Sequence, residues 1–133
     1  MTANALADLH LRCFGTHPRP WSAAEIEDLL DSRLNFLISR PAGFLIGRTV
    51  VDEAELLTVA VSPDARRQGI GRALLAEFRE TSRQRGAVEA FLEVASDNAA
   101  AQALYLADGW REVGTRRNYY ASGLDAILMR RVL

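Results

Sequence analysis

Arg66-Arg67-Gln68-Gly69-Ile70-Gly71-Arg72-Ala73 lies between an apolar run and an amphipathic stretch. The run before it, Leu56-Leu57-Thr58-Val59-Ala60-Val61, predicts a buried strand that Pro63 ends. From Ile70 onward Leu74, Leu75 and Phe78 recur at helical spacing, with Arg72, Glu77, Arg79 and Glu80 on other faces. The octad therefore carries a strand through a glycine turn into a helix N-terminus. The first backbone N–H groups of a helix have no intrahelical acceptor, and the helix dipole places partial positive charge there. Gly69 and Gly71 lack a Cβ, so an anion can approach the backbone closely, a geometry that suits a pyrophosphate. No Gly-Lys-Ser/Thr follows to make a P-loop, and the three-glycine dinucleotide fingerprint is absent.

Further along, Ala90-Phe91-Leu92-Glu93-Val94 predicts a second buried strand. Ser96-Asp97-Asn98 follows, then a helix over Ala99 to Ala107 in which Ala101, Leu104 and Tyr105 share a face and Gly109 supplies the C-terminal cap. The chain then continues through Gly109-Trp110 to Arg116-Arg117-Asn118-Tyr119-Tyr120. The loop resembles the acetyl-CoA pyrophosphate loop of the GNAT acetyltransferase superfamily. In order and spacing the blocks from Trp21 to the C-terminus resemble the ribosomal-protein-alanine N-acetyltransferase (RimI-type) family within it.

The chain is 133 residues long, enough for one domain with one core, here residues 1–133. Hydrophobic residues at 49% and charged residues at 25% are ordinary globular values. A net charge of −1 gives no general reason for nucleic acid or a bilayer to bind, so any recognition of a ribosomal partner must be local. The single Cys13 excludes an internal disulfide and suits a reducing compartment. His10 and His17 stand apart from any cluster with metal-ligand spacing and read as helix or loop residues. With no basic, apolar leader and no long apolar span, the expected location is the cytoplasm, off the membrane.

Thr2 to Phe14 predicts a helix that Gly15 ends, and Pro18-Arg19-Pro20-Trp21 a stiff connection. Ser22-Ala23-Ala24-Glu25 has the form of a capping box opening a second helix with Ile26, Leu29 and Leu30 on its apolar face. Phe36 to Ser39 and Gly43 to Val51 predict strands joined through Pro41-Ala42-Gly43, and the last two strands fall near Arg111 to Arg117 and Asp125 to Val132. The expected fold is α/β (α+β): a mixed, mostly antiparallel central sheet flanked by helices, as the GNAT resemblance implies. In the resembled family a strand precedes the first helix, and here it is missing. Phe36 to Ser39 then becomes an open edge that invites an upstream strand or a homodimer.

The resemblance also implies roles. The N–H groups of Arg67, Gln68, Gly69, Ile70, Gly71, Arg72 and Ala73 would face the pyrophosphate of acetyl-CoA, with Arg67 and Arg72 adding charge. Val59, Ala60 and Val61 would pair their backbone with the pantetheine arm, and Asn98 would contact the cofactor or cap its helix. Glu93 is the implied general base. A carboxylate in a buried strand costs free energy unless paired or functional, and desolvation favours its proton-holding form. Without the resemblance, alternation would simply turn Glu93 to solvent. Tyr105 is the implied acid for the leaving thiolate, or else a core aromatic. Trp21, Tyr119 and Tyr120 match positions that shape the acceptor groove.

The family acceptor is an N-terminal alanine followed by arginine, so the expected partner is the N-terminus of a ribosomal protein. An α-amine, with a pKa of about 7.7–8.0 against about 10.4 for lysine, is freed more readily by a carboxylate base. Glu27, Asp28, Asp31, Glu53 and Glu55 are acidic groups available near the groove. Two departures stand out: Ala95 occupies the place of a usual arginine, and Trp110 that of a phenylalanine. Another protein or small-molecule amine as acceptor, an acetyl-CoA-binding regulatory domain, and a helper needing a partner chain stay open.

Overall fold

Strand β3 (Glu53–Val61) lies near the middle of the sheet, as its apolar run requires, and the rest of the fold is arranged around it. The structure, a computed structural model, describes residues 1–14 and 19–133. The expected stop at Gly15, the loop residue His17 and the first residue of the stiff connection, Pro18, lie outside the described residues.

The chain begins with α1 (Ala3–Cys13), capped by the Thr2 hydroxyl, and α2 (Ala23–Asp31). Ser22 and Glu25 make both bonds of the capping box, and Arg19 grips the Glu25 carboxylate, holding it down to about 2. Next come β1 (Asn35–Arg40), β2 (Gly43–Val50) and β3, then α3 (Ile70–Gln84), β4 (Glu89–Ala95), α4 (Ala99–Ala107), β5 (Arg111–Ala121) and β6 (Leu124–Val132). The six strands form one sheet in the order β1-β2-β3-β4-β6-β5. All pairs are antiparallel except β3 with β4, so the sheet is mixed and mostly antiparallel, as the sequence predicts. Among the described residues no strand precedes α1, and β1 is a sheet edge.

Two apolar layers hold the sheet. On one face Leu74, Leu75 and Phe78 of α3 and Tyr105 of α4 pack with Leu56, Leu92, Trp110 and Met129. On the other, Leu6 and Leu9 of α1 and Ile26 of α2 pack on Phe44, Ile46 and Ala60. Each fully buried Leu, Ile or Phe contributes roughly 1.5–3 kcal/mol. Gly47 packs directly against the first layer: a Cβ there would lie 2.5 Å from Phe36 Cζ and 2.9 Å from Phe78 Cδ1. Gly47→Ala is expected to cost about 1–3 kcal/mol in thermal unfolding, because both rings are locked in the core.

The strand near Arg111 to Arg117 runs further than expected, to Ala121, because β5 bulges and resumes. Asn118 takes φ +52°, its N–H donates to Asp125 Oδ1 at 2.9 Å, and its own Oδ1 accepts from Gly123 N–H at 2.7 Å. This polar knot holds the β5–β6 turn just beyond Tyr119 and Tyr120.

Candidate functional site

The parallel pairing of β3 with β4 covers only Glu53–Glu55 against Glu89–Phe91. Beyond it the two strands part: β4 continues along β6, and β3 along β2 alone. A strand with one bare side carries backbone donors and acceptors that need partners. The opening between them is a cavity of about 1170 Å³.

A bulge shapes the β3 wall. Ile46 faces Thr58 and Gly47 faces Leu56, so Leu57 has no partner across the ladder. The extra residue inverts the alternation. Leu56 belongs to the α3 layer, whereas Thr58 meets α1 and Ala60 joins the α1–α2 layer, which turns Val59 and Val61 toward α3 and α4. The Val61 carbonyl already accepts from Cys13 Sγ at 3.2 Å and from Arg66 Nε at 3.3 Å.

The floor of one end is the start of α3. Arg67 (φ +65°) and Gly69 (φ +78°) both take left-handed backbone where the loop enters the helix. Ile70, Gly71 and Arg72 are the first three helical residues, with N–H groups left over by the helix. Ala73 differs from expectation. Its N–H donates to the Gly69 carbonyl at 3.0 Å, the helix's own first bond, so it is not free for an anion. Gln68 and Ala73 are exposed and lie outside the cavity wall, whereas Arg67, Gly69, Ile70, Gly71 and Arg72 line it. A Cβ on Gly71 would come within 3.2 Å of Leu104 Cδ2, narrowing the passage between α3 and α4. Asn98 caps α4, its Oδ1 accepting from Ala101 N–H at 3.1 Å, and also lines the cavity. Free amides, a left-handed glycine and a bare strand edge suit a ligand with a pyrophosphate at one end and amide groups along its arm.

The other end carries the titratable groups. Glu93 points away from the α3 layer and is not sealed off: its side chain is 25% exposed and lies 3.4 Å from Arg116. This corrects the expectation of a desolvated carboxylate, since β4 buries Ala90, Leu92 and Val94 and leaves Glu93 on the open face. Tyr105 is buried against Trp110 at 6.2 Å and lines the cavity, and burial raises its hydroxyl far above the usual tyrosine range. Tyr120 is half-buried and pushed up to about 12 by burial, by Glu93 and by Tyr119. Tyr119 meets Tyr120 edge-on at 5.1 Å, with the Arg116 guanidinium over its ring.

The sequence offers Glu55 only as one of five acids and His10 only as a helix or loop residue, yet both line the wall. Glu55 lines the same cavity as Glu93, and burial together with the Glu93 charge raises its proton affinity. Glu27, Asp28, Asp31 and Glu53 do not reach this cavity. His10 is buried against the wall. Its place at i+4 from Leu6 and next to Leu9 was the signal that it lies on the buried face of α1. Burial pushes it down to about 4, against the opposing charge of Glu25. Stability is therefore expected to hold above pH 6.5, where His10 is neutral folded or unfolded, and to fall between there and pH 4 as the unfolded chain alone takes the proton. The loss reaches about 3 kcal/mol at most, and His10→Phe should flatten this part of the curve in urea unfolding. Among the described residues no group of three His, Cys, Asp or Glu side chains is placed to hold a metal, and no helix is long and apolar enough to cross a membrane.

The sequence model of the acetyltransferase (GNAT) family matches residues 3–110. The ribosomal protein bS18-alanine N-acetyltransferase of Escherichia coli K12 is 42% identical over 120 residues, covering 85% of this chain and 81% of that one. The N-alpha-acetyltransferase RimI of Mycobacterium tuberculosis is 40% identical over 139 residues, covering 97% and 85%. The crystal structure of the E. coli ribosomal-protein-S18-alanine N-acetyltransferase superposes with a TM-score of 0.83 at 36% identity, covering 98% of this chain and 86% of that one. Parted central strands, a glycine turn with free helix amides and a carboxylate on the open face thus coincide with sequence kinship over most of the length, and the chain belongs to the acetyltransferase (GNAT) family.

Proposed function

We propose that this chain transfers an acetyl group from acetyl-CoA to the α-amine of the N-terminal alanine of a ribosomal protein. One observation carries the reading: the gap between β3 and β4 joins an anion-ready helix start to a wall bearing Glu93 and Tyr105 in a single cavity. Acetyl-CoA brings the acetyl group as an activated thioester. The amides of Ile70, Gly71 and Arg72, with the Arg67 and Arg72 side chains nearby, hold its pyrophosphate, and the bare edge of β3 around Val59 and Ala60 holds the arm.

At the reacting end Glu93 takes the proton of the acceptor ammonium, directly or through a water, so that the amine attacks with a free lone pair. Its partial exposure suits this, since the proton must pass on to solvent. Tyr105, kept protonated by its burial, hydrogen-bonds the departing sulfur and relays to it the proton that the attacking nitrogen sheds as the amide forms, so it ends the turnover protonated again. Trp21, Tyr119 and Tyr120 frame the mouth where the acceptor enters, and Glu55 adds a second negative group that favours an ammonium.

Incubation with acetyl-CoA and small-subunit ribosomal proteins, followed by mass spectrometry of N-terminal peptides, tests the reading. An added acetyl group on an N-terminal alanine supports it, and acetylation confined to lysine side chains refutes it. Tyr105→Phe is expected to lower kcat about 10²-fold with the acetyl-CoA Kd unchanged in calorimetry. A full rate would leave Tyr105 a packing residue.

A further inference from the structure

His10 sits in the last turn of α1, 1% exposed, at the place where three elements meet. The Trp21 backbone N–H donates to its Nδ1 at 3.1 Å. A backbone N–H can only donate, so Nδ1 must be the acceptor and the ring proton sits on Nε2. From there it is donated to Thr58 Oγ1 on β3 at 3.1 Å. The ring also stacks on the Trp21 indole, 4.9 Å between centroids and 11° from parallel, and leans on Phe14 at 4.4 Å. One imidazole thus ties the Trp21 side of the cavity mouth to the strand next to Val59, at the inverted step after the Leu57 bulge.

We propose that His10 is a positioning residue for the acceptor: its imidazole fixes Trp21 relative to β3 and so sets where the acceptor amine stands. This rests on the acetyl-transfer reading above. The bracket joins the acceptor side to the α1 face of β3 through the Thr58 side chain, not through the strand's bare backbone edge, and it touches neither the α3 amides nor Glu93. Its loss therefore acts on the acceptor and spares cofactor binding. An ångström-scale displacement of a positioned reactant costs on the order of 10²-fold in rate, and the half-buried Trp21 N–H and the buried Thr58 hydroxyl would lose their partner.

Two variants test this. His10→Phe keeps a stacking ring and removes both hydrogen bonds; Thr58→Val removes only the β3 end with little change of shape. Each is expected to lower kcat/KM for the acceptor peptide about tenfold or more while the acetyl-CoA KM and Kd stay within twofold. Hydrogen exchange at the Trp21 amide, read by NMR on protein without any substrate, should speed up at least tenfold in His10→Phe while the amides of α3 keep their protection. An unchanged acceptor kcat/KM in both variants, or an unchanged Trp21 exchange rate, overturns the proposal while leaving the acetyl-transfer reading standing. Should the parent enzyme acetylate no peptide, that reading fails, and the exchange measurement alone decides whether the bracket exists.

Discussion

Glu93→Gln is expected to lower kcat by about 10²–10⁴-fold and to leave the acetyl-CoA Kd unchanged. The amide keeps the shape of the side chain and its place on the open face of β4, so binding at the far end of the cavity is untouched. What it loses is the ability to take a proton. The partner cation, Arg116, is about half exposed and returns to water at little cost, so the variant should melt within about 1 kcal/mol of the parent. Glu55→Gln is the control. It sits on the same wall but serves only as charge, and it should raise the acceptor KM several-fold with kcat nearly intact. A kcat for Glu93→Gln equal to that of the parent across the pH range would remove Glu93 from the chemistry.

Trp110→Ala is expected to cost about 3–5 kcal/mol, the largest stability effect of any single substitution considered. The indole is 1% exposed and lies between Phe78, 6.2 Å away, and Tyr105, also 6.2 Å away, so its loss opens a cavity beneath both α3 and α4. Its Nε1–H donates to Asp108 Oδ2 at 3.0 Å; the Asp108 carboxylate also pairs with Arg79, and the Asp108 backbone carbonyl accepts from Arg131 Nε at 2.7 Å. Trp110→Phe should cost far less, about 1 kcal/mol, because Arg79 still pairs with the carboxylate. The ordering Ala far below Phe in urea midpoints is the check. Equal losses would mean that the hydrogen bond, not the ring, carries the effect. Because Trp110 backs Tyr105, the alanine variant should also slow turnover, even at temperatures where it stays folded.

Local patterning made much of the fold legible. Leu74, Leu75 and Phe78 at helical spacing, the Ser22–Glu25 box and the glycine after α4 each depend on residues a few positions apart, and each element stands where the pattern puts it. The bulge at Leu57 was hidden because the run is apolar on both faces, so no alternation marks the inversion. Glu55 looked like any surface acid, since its place beside Glu93 comes from a parallel pairing with a strand more than thirty residues later. His10 was read as a loop or helix residue, and its two hydrogen bonds reach 11 and 48 residues away. Ala73 was counted one step too far into the helix, where the backbone has already begun to satisfy itself. What the sequence hid was set by contacts distant along the chain.

Acetylation of an α-amine in this cavity is checked by thiol release from acetyl-CoA by the purified chain, with a peptide starting Ala-Arg offered beside an N-blocked peptide carrying lysine. Rapid thiol release with the first peptide, little with the second, and loss of both in Glu93→Gln is the predicted result. Release with the lysine peptide alone, or tight acetyl-CoA binding with acetylation of neither, would contradict it.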